Sequence, residues 1–168
     1  MLKLIIDKIS RIIRNKKQLE EKLNVKISNR GKEVYLEGSA DDEYIAQKVI
    51  EALDFGFPFS AAMQIKENDF IFERLNIKDY TKRHDLERIR ARIIGTNGKT
   101  LKTLSSLTEG FLELKDNEIG IISEPEFLEV LQQSIISIIQ GSKTTNVYSY
   151  LEKHRPKPIE DLGLKGEK

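Results

Sequence analysis

The 168-residue chain repeats itself, and that repeat restricts its fold more than any single motif does. At an offset of 85, Ile27 falls on Leu112, Glu33 on Glu118, Val34 on Ile119, Leu36 on Ile121, Ile50 on Ile135, Leu53 on Ile138 and Gly56 on Gly141. Upstream, Arg11-Ile12-Ile13 falls on Arg92-Ile93-Ile94 at an offset of 81. Two copies are too few for a stacked solenoid, so the pattern predicts duplication of one small unit. The four residues by which the offsets differ amount to about one helical turn, which the first copy lacks.

The second copy reads more clearly. Asp69–Asn76 is rich in aromatic and branched residues and predicts a strand. Leu86, Ile89 and Ile93 predict an amphipathic helix ending at Gly95, and Leu101, Leu104 and Leu107 a second helix stopped near Glu109-Gly110. Phe111–Lys115 and Glu118–Ile122 alternate as two strands joined by the Asp116-Asn117 turn. Ser123 is the expected cap of a third helix that carries Phe127, Leu131, Ile135 and Ile138 on one face. The order strand, helix, helix, strand, strand, helix predicts an α+β unit, a three-stranded antiparallel sheet backed by helices.

The first copy repeats this order with strands at Leu2–Ile6, Val25–Ser28 and Glu33–Glu37, and helices at Lys8–Ile13, Gln18–Leu23 and Asp42–Leu53. Phe55, Phe57 and Phe59 are expected in a seam between the copies. After Gly141, Asn146 is the expected cap of a helix with Val147, Tyr150 and Leu151 on one side, ended by Pro156 and Pro158. Three segments result: 1–60, 61–141, and 142–168 with a C-terminal helix and a polar tail.

Net charge is only +1, which taken alone speaks against a nucleic-acid partner. Along the chain, however, residues 1–32 carry +7, residues 33–79 carry −7, residues 80–103 carry +5 and residues 104–140 carry −6. The alternation follows the repeat, so each copy is expected to have a basic and an acidic part. With no cysteine there is no disulfide, thiolate zinc site or cysteine nucleophile. His84 and His154 lie in unrelated segments without metal-ligand spacing, Ser105-Ser106 has no neighbouring histidine base, and the Asp41-Asp42-Glu43 run suits a helix start. No enzyme, metal or cofactor is expected, and no apolar run approaches a membrane span, so a cytoplasmic protein is the expectation.

The sharpest local feature is Arg92-Ile-Ile-Gly-Thr-Asn-Gly-Lys-Thr100. Gly95 and Gly98 flank Thr96 and Asn97 between two amphipathic helices, with Lys99 directly after. Glycine admits positive φ and close approach of backbone to phosphate, and the start of the second helix favours an anion. Arg90, Arg92, Lys99 and Lys102 are candidate phosphate partners. A walker-type phosphate loop does not fit, because Gly-x-x-x-x-Gly-Lys-Ser/Thr is not met.

With its Ile-Ile-Gly-x-x-Gly between two helices, the segment 69–141 resembles a KH domain of type I, with βααββα order. The resemblance implies a clamp on about four single-stranded nucleotides. It implies that Gly95, Thr96, Asn97 and Gly98 meet phosphate, while Ile94, Leu101 and Leu112 help line the groove for the bases. The tandem arrangement, the Tyr80-Thr81-Lys82 link and Val147–Arg155 together resemble the archaeal members of the Pno/Dim family of ribosome-biogenesis factors. That resemblance implies binding to the 3′ region of small-subunit rRNA. It also implies partnership with the endonuclease that cuts the rRNA 3′ end and with the α subunit of initiation factor two.

In the first copy, Arg14-Asn15-Lys16-Lys17 is expected where Gly95–Gly98 stands in the second, followed by a helix one turn short. Two readings of this basic edge stand side by side. Arg11, Arg14, Lys16 and Lys17 touch RNA phosphate through side chains, or the copy is a packing and protein-docking unit with a solvated edge. At the level of the whole chain, a protein-interaction adaptor and a general KH RNA-binding protein are the alternatives to an rRNA-maturation factor.

Overall fold

The computed structural model describes residues 1–154. In the first copy β1 (Leu2–Ile5) leads to α1 (Ile9–Arg14) and α2 (Lys16–Leu23), then β2 (Lys26–Arg30), β3 (Glu33–Glu37) and α3 (Ala40–Phe55). A helix α4 (Phe59–Glu67) follows. In the second copy β4 (Ile71–Asn76) leads to α5 (Leu86–Ile94) and α6 (Lys99–Thr108), then β5 (Phe111–Lys115), β6 (Glu118–Ser123) and α7 (Pro125–Ile139), and α8 (Thr144–His154) closes the described chain. The sheets have the same topology, β1-β3-β2 and β4-β6-β5, with every pair antiparallel. The fold is therefore the expected tandem α+β arrangement, and its register keeps the offset of 85. Ser28 pairs with Tyr35 in the first sheet, and Glu113 pairs with Gly120 in the second.

Alternation decides what each sheet buries. In the second sheet Leu75, Leu112, Ile119 and Ile121 face a core built with Ile89, Ile93, Leu104, Leu131 and Ile135 of the helices. On the other face Phe72 and Ile122 belong to the core of the first copy. Phe55 and Phe57 seat against that face, with ring centroids 6.0 and 5.7 Å from Phe72, and the Arg74 guanidinium lies 5.3 Å from the Phe55 centroid. Strand β6 is thus covered on both faces, and Ile119–Ser123 are all buried. The seam expected for Phe55 and Phe57 is present, whereas Phe59 packs on the first core beneath Lys22. Glu113 also faces this seam, where burial pushes its carboxyl above the usual carboxylate range against the opposing pull of Arg11 and Lys8.

Several local expectations change. Helix α4 was not anticipated; Ala61, Ala62, Met63 and Ile65 bury it in the first core, so the segment after Pro58 is no open linker. Ser123 ends β6 instead of capping α7, because Pro125 occupies the first turn and Glu124 precedes it. Helix α8 begins at Thr144, which places Asn146 inside it. Its buried side carries Val147 and Leu151, with Tyr148 half-buried beside them, while Tyr150 stacks on His154 at 4.3 Å. By contrast Ser39, which the sequence did not single out, accepts a hydrogen bond from the Asp42 backbone N–H at 3.1 Å and caps α3. Pro156, Pro158 and the polar tail lie outside the described residues.

Candidate nucleic-acid interface

Helix α5 buries Ile89 and Ile93, so the next residue, Ile94, falls off the buried face and remains 38% exposed. The helix stops because Gly95 takes φ 77° and ψ 172°. Asn97 at φ 55° and Gly98 at φ 73° then turn the chain into α6 through a single 3-10 turn over Thr96–Gly98, held by a hydrogen bond from the Gly98 N–H to the Gly95 carbonyl at 3.1 Å. The two glycines do different work. A Cβ on Gly95 would collide with the Thr100 hydroxyl and lie 2.7 Å from the Thr100 backbone nitrogen, whereas one on Gly98 would meet nothing within 4 Å. Gly95 closes the loop onto α6, and Gly98 supplies the left-handed turn alone.

Thr96 and Asn97 are exposed at the tip, and Lys99 and Lys102 are exposed on the first turn of α6. Neither lysine takes part in the ion pairs of the described residues. A shallow groove runs along Asn97, Lys99, Lys102, Thr103, Ser106 and Leu107. The two arginines are engaged elsewhere. Arg90 donates to the Asn117 side-chain oxygen at 3.0 Å, bracing the β5–β6 turn. Arg92 donates to the carbonyls of Ile138, at 2.9 Å, and Ser142, at the end of α7. Leu101 is half-buried against the second core, and Leu112, at 9% exposure, is part of that core. Leu114, one pleat along the same face of β5, is half-buried and went unnoticed in the sequence. The structure therefore gathers Ile94, Gly95–Gly98, Lys99 and Lys102 at one surface and turns Arg90 and Arg92 inward.

The first copy has no such loop. Asn15 alone joins α1 to α2, donating from its side-chain amide to the Arg11 carbonyl at 2.9 Å. Leu19 and Leu104 are both fully buried, and Asn24 and Glu109 both take left-handed φ, 54° and 55°, at the ends of α2 and α6. The offset of 85 thus holds through the second helix and breaks only between Ile13 and it. One residue joins α1 to α2 where four join α5 to α6, and α2 has eight residues against ten in α6, so the shortening falls mainly on the loop and takes two residues, less than the expected full turn, from the helix. Arg11 donates to the carbonyls of Leu53 at 2.8 Å and Phe57 at 3.4 Å. Lys16 pairs with Glu20 at 3.9 Å, which leaves Arg14 and Lys17 as the exposed cations of this edge.

A family model for the second KH domain of PNO1 proteins, described as a eukaryotic-type KH domain (KH-domain type I), matches residues 71–156. The chain belongs to the PNO1/Dim2 family of KH-domain proteins. Relatives in this family are described as an RNA-binding protein in Dictyostelium discoideum and as a pre-rRNA-processing protein in Eremothecium gossypii. A KH domain-containing protein of Methanocaldococcus jannaschii is 25% identical over 113 residues, 67% of this chain and 50% of that protein. The pre-rRNA-processing protein PNO1 of Yarrowia lipolytica is 30% identical over 138 residues, 77% of this chain and 54% of that protein. The chain spans about half the length of these curated relatives. Among solved structures, Dim2p from Pyrococcus horikoshii aligns with a TM-score of 0.82 at 24% identity, over 90% of this chain and 98% of that one. The same fold occurs in a complex of a/eIF2alpha, aDim2p and rRNA from that organism, with a TM-score of 0.80 at 24% identity over 90% and 92% of the chains. No helix among the described residues is long and apolar enough to cross a membrane.

Proposed function

We propose that this protein binds single-stranded rRNA through its second copy, near the 3′ end of the small-subunit rRNA, during maturation of that subunit. The loop carries the reading. Three of its four residues hold positive φ, Gly95 is closed on Thr100, and exposed Thr96 and Asn97 stand between Ile94 and the unpaired Lys99. Lys99 and Lys102 neutralise phosphate, and Ile94 offers an apolar edge for a base. Arg14 and Lys17 of the first copy add weaker, sequence-independent phosphate contacts. The family and the rRNA complex of the Pyrococcus protein support this target, and that complex also supports the α subunit of initiation factor two as a partner. The endonuclease that cuts the rRNA 3′ end is the second proposed partner.

The double variant Thr96→Asp, Asn97→Asp places two carboxylates at the tip, and Asp tolerates the left-handed φ of position 97. It should fold as the parent does and lose about tenfold or more in affinity for a single-stranded RNA from the rRNA 3′ end, measured by anisotropy. Unchanged affinity would sink the loop assignment. Affinity indifferent to added salt would favour a protein-docking role over an RNA clamp.

A further inference from the structure

We infer that Arg92 is a positioning residue for the glycine loop, holding the end of α5 to the junction of α7 and α8; this rests on the RNA reading above. Both terminal guanidinium nitrogens are engaged, Nη1 with the Ile138 carbonyl and Nη2 with that of Ser142. Only two residues, Ile93 and Ile94, separate Arg92 from Gly95, so the clamp fixes the end from which the loop departs. Helix α7 has no basic residue in its last turn, and its terminal carbonyls draw their cation from α5. Helix α8 leaves this junction to pack on α6 and α7, burying Val147 and Leu151. The helix after the loop is thereby braced from the same point.

The repeat supplies the independent argument. Arg11 is the counterpart of Arg92 at the offset of 81, and its acceptors Leu53 and Phe57 are the counterparts of Ile138 and Ser142 at the offset of 85. Helix α3 likewise has no basic residue in its last turn. One clamp thus exists twice, once with a glycine loop beyond it and once without. Its contacts are those of a brace, and only in the second copy is there a loop to aim.

The test uses the full chain and a fluorescent single-stranded RNA covering the 3′ end of small-subunit rRNA, titrated at several salt concentrations. Arg92→Gln should weaken binding by about tenfold at every salt concentration, with the slope of log affinity against log salt unchanged. Arg92→Lys keeps the charge but not the planar fork, so it should restore only part of the affinity, and it serves if the Gln variant does not fold. Arg11→Gln removes the matched clamp and should lower thermal stability comparably while affinity stays within about twofold. A slope shallower by about 0.7 in Arg92→Gln would make Arg92 a phosphate contact and overturn the proposal. So would undiminished affinity in Arg92→Gln, full rescue by Lys, or an equal loss of affinity in Arg11→Gln. A parent protein that does not bind, or an Asp double variant that binds like the parent, overturns the RNA reading itself.

Discussion

At the scale of single residues, the two glycines of the loop separate two physical demands. Gly98→Ala meets only the unfavourable left-handed φ and should cost about 1 kcal/mol in denaturant unfolding, with RNA binding largely kept. Gly95→Ala adds a collision with Thr100 that cannot be relieved without moving α6, so it should cost more and also lose binding. Equal costs at the two positions would refute this division. Glu113 makes a different prediction. Its carboxyl is raised chiefly by burial, so the native state binds its proton more tightly than the unfolded chain does. The group's favourable contribution is present below the ordinary carboxylate pKa and is lost as pH rises through the raised value. Glu113→Gln should therefore raise the melting temperature at pH 7, and the gain should shrink towards acid pH. A gain that persists undiminished at low pH would contradict it. Residue roles are where sequence and geometry diverge most: a guanidinium two residues from a glycine loop looks like a phosphate ligand, yet its acceptors lie 46 and 50 residues away in the chain. A signal was nevertheless present, since Arg11 survives in a copy that lacks the loop.

Among elements, legibility followed periodicity. Alternation located β5 at Phe111–Lys115 and β3 at Glu33–Glu37 without error, because each strand has one polar and one apolar face along most of its length. Helix α4 was invisible for the opposite reason. Two of its four buried positions are small, Ala61 and Ala62, and it opens out of a Gly-Phe-Pro-Phe run that has the composition of a connector. Asn146 misled because a capping residue type can also sit inside a helix when the preceding Lys143 carbonyl already accepts the first turn's bonds. Helix α8 is the element whose role is most testable. Leu151 is 3% exposed against the helices of the second core. Leu151→Ala should cost about 2–5 kcal/mol by urea unfolding, whereas Tyr150→Ala, on the outer side, should cost under about 1 kcal/mol. Similar effects at both positions would place the wrong side of α8 inward.

For the whole molecule, the deciding feature is that one sheet serves two cores. Phe72 and Ile122 belong to the first copy's core, while Leu75 and Ile121 on the same strands belong to the second. The chain should therefore melt in a single calorimetric transition. Gly120→Val should separate that transition into two, since even a Cβ at this position would lie 2.7 Å from the Phe55 ring and 2.8 Å from the Phe57 ring. Two transitions in the parent protein would show that the seam does not couple the copies. The repeat also shows that the two outer ends of the pair do not match one another as the seam does. A contact in which one unit's aromatic corner sits on the next unit's sheet is head-to-tail, and such contacts propagate into filaments unless something stops them. Here Tyr35 stands in the first sheet where Gly120 stands in the second, and Gln140 and Ser142 stand where the donor copy has Phe55 and Phe57. The exposed sheet carries a side chain where the rings would have to lie, and the free corner carries no rings to offer. The two outer ends are thus mismatched: the face that would receive a ring-bearing corner is blocked, and the corner that would offer one has none.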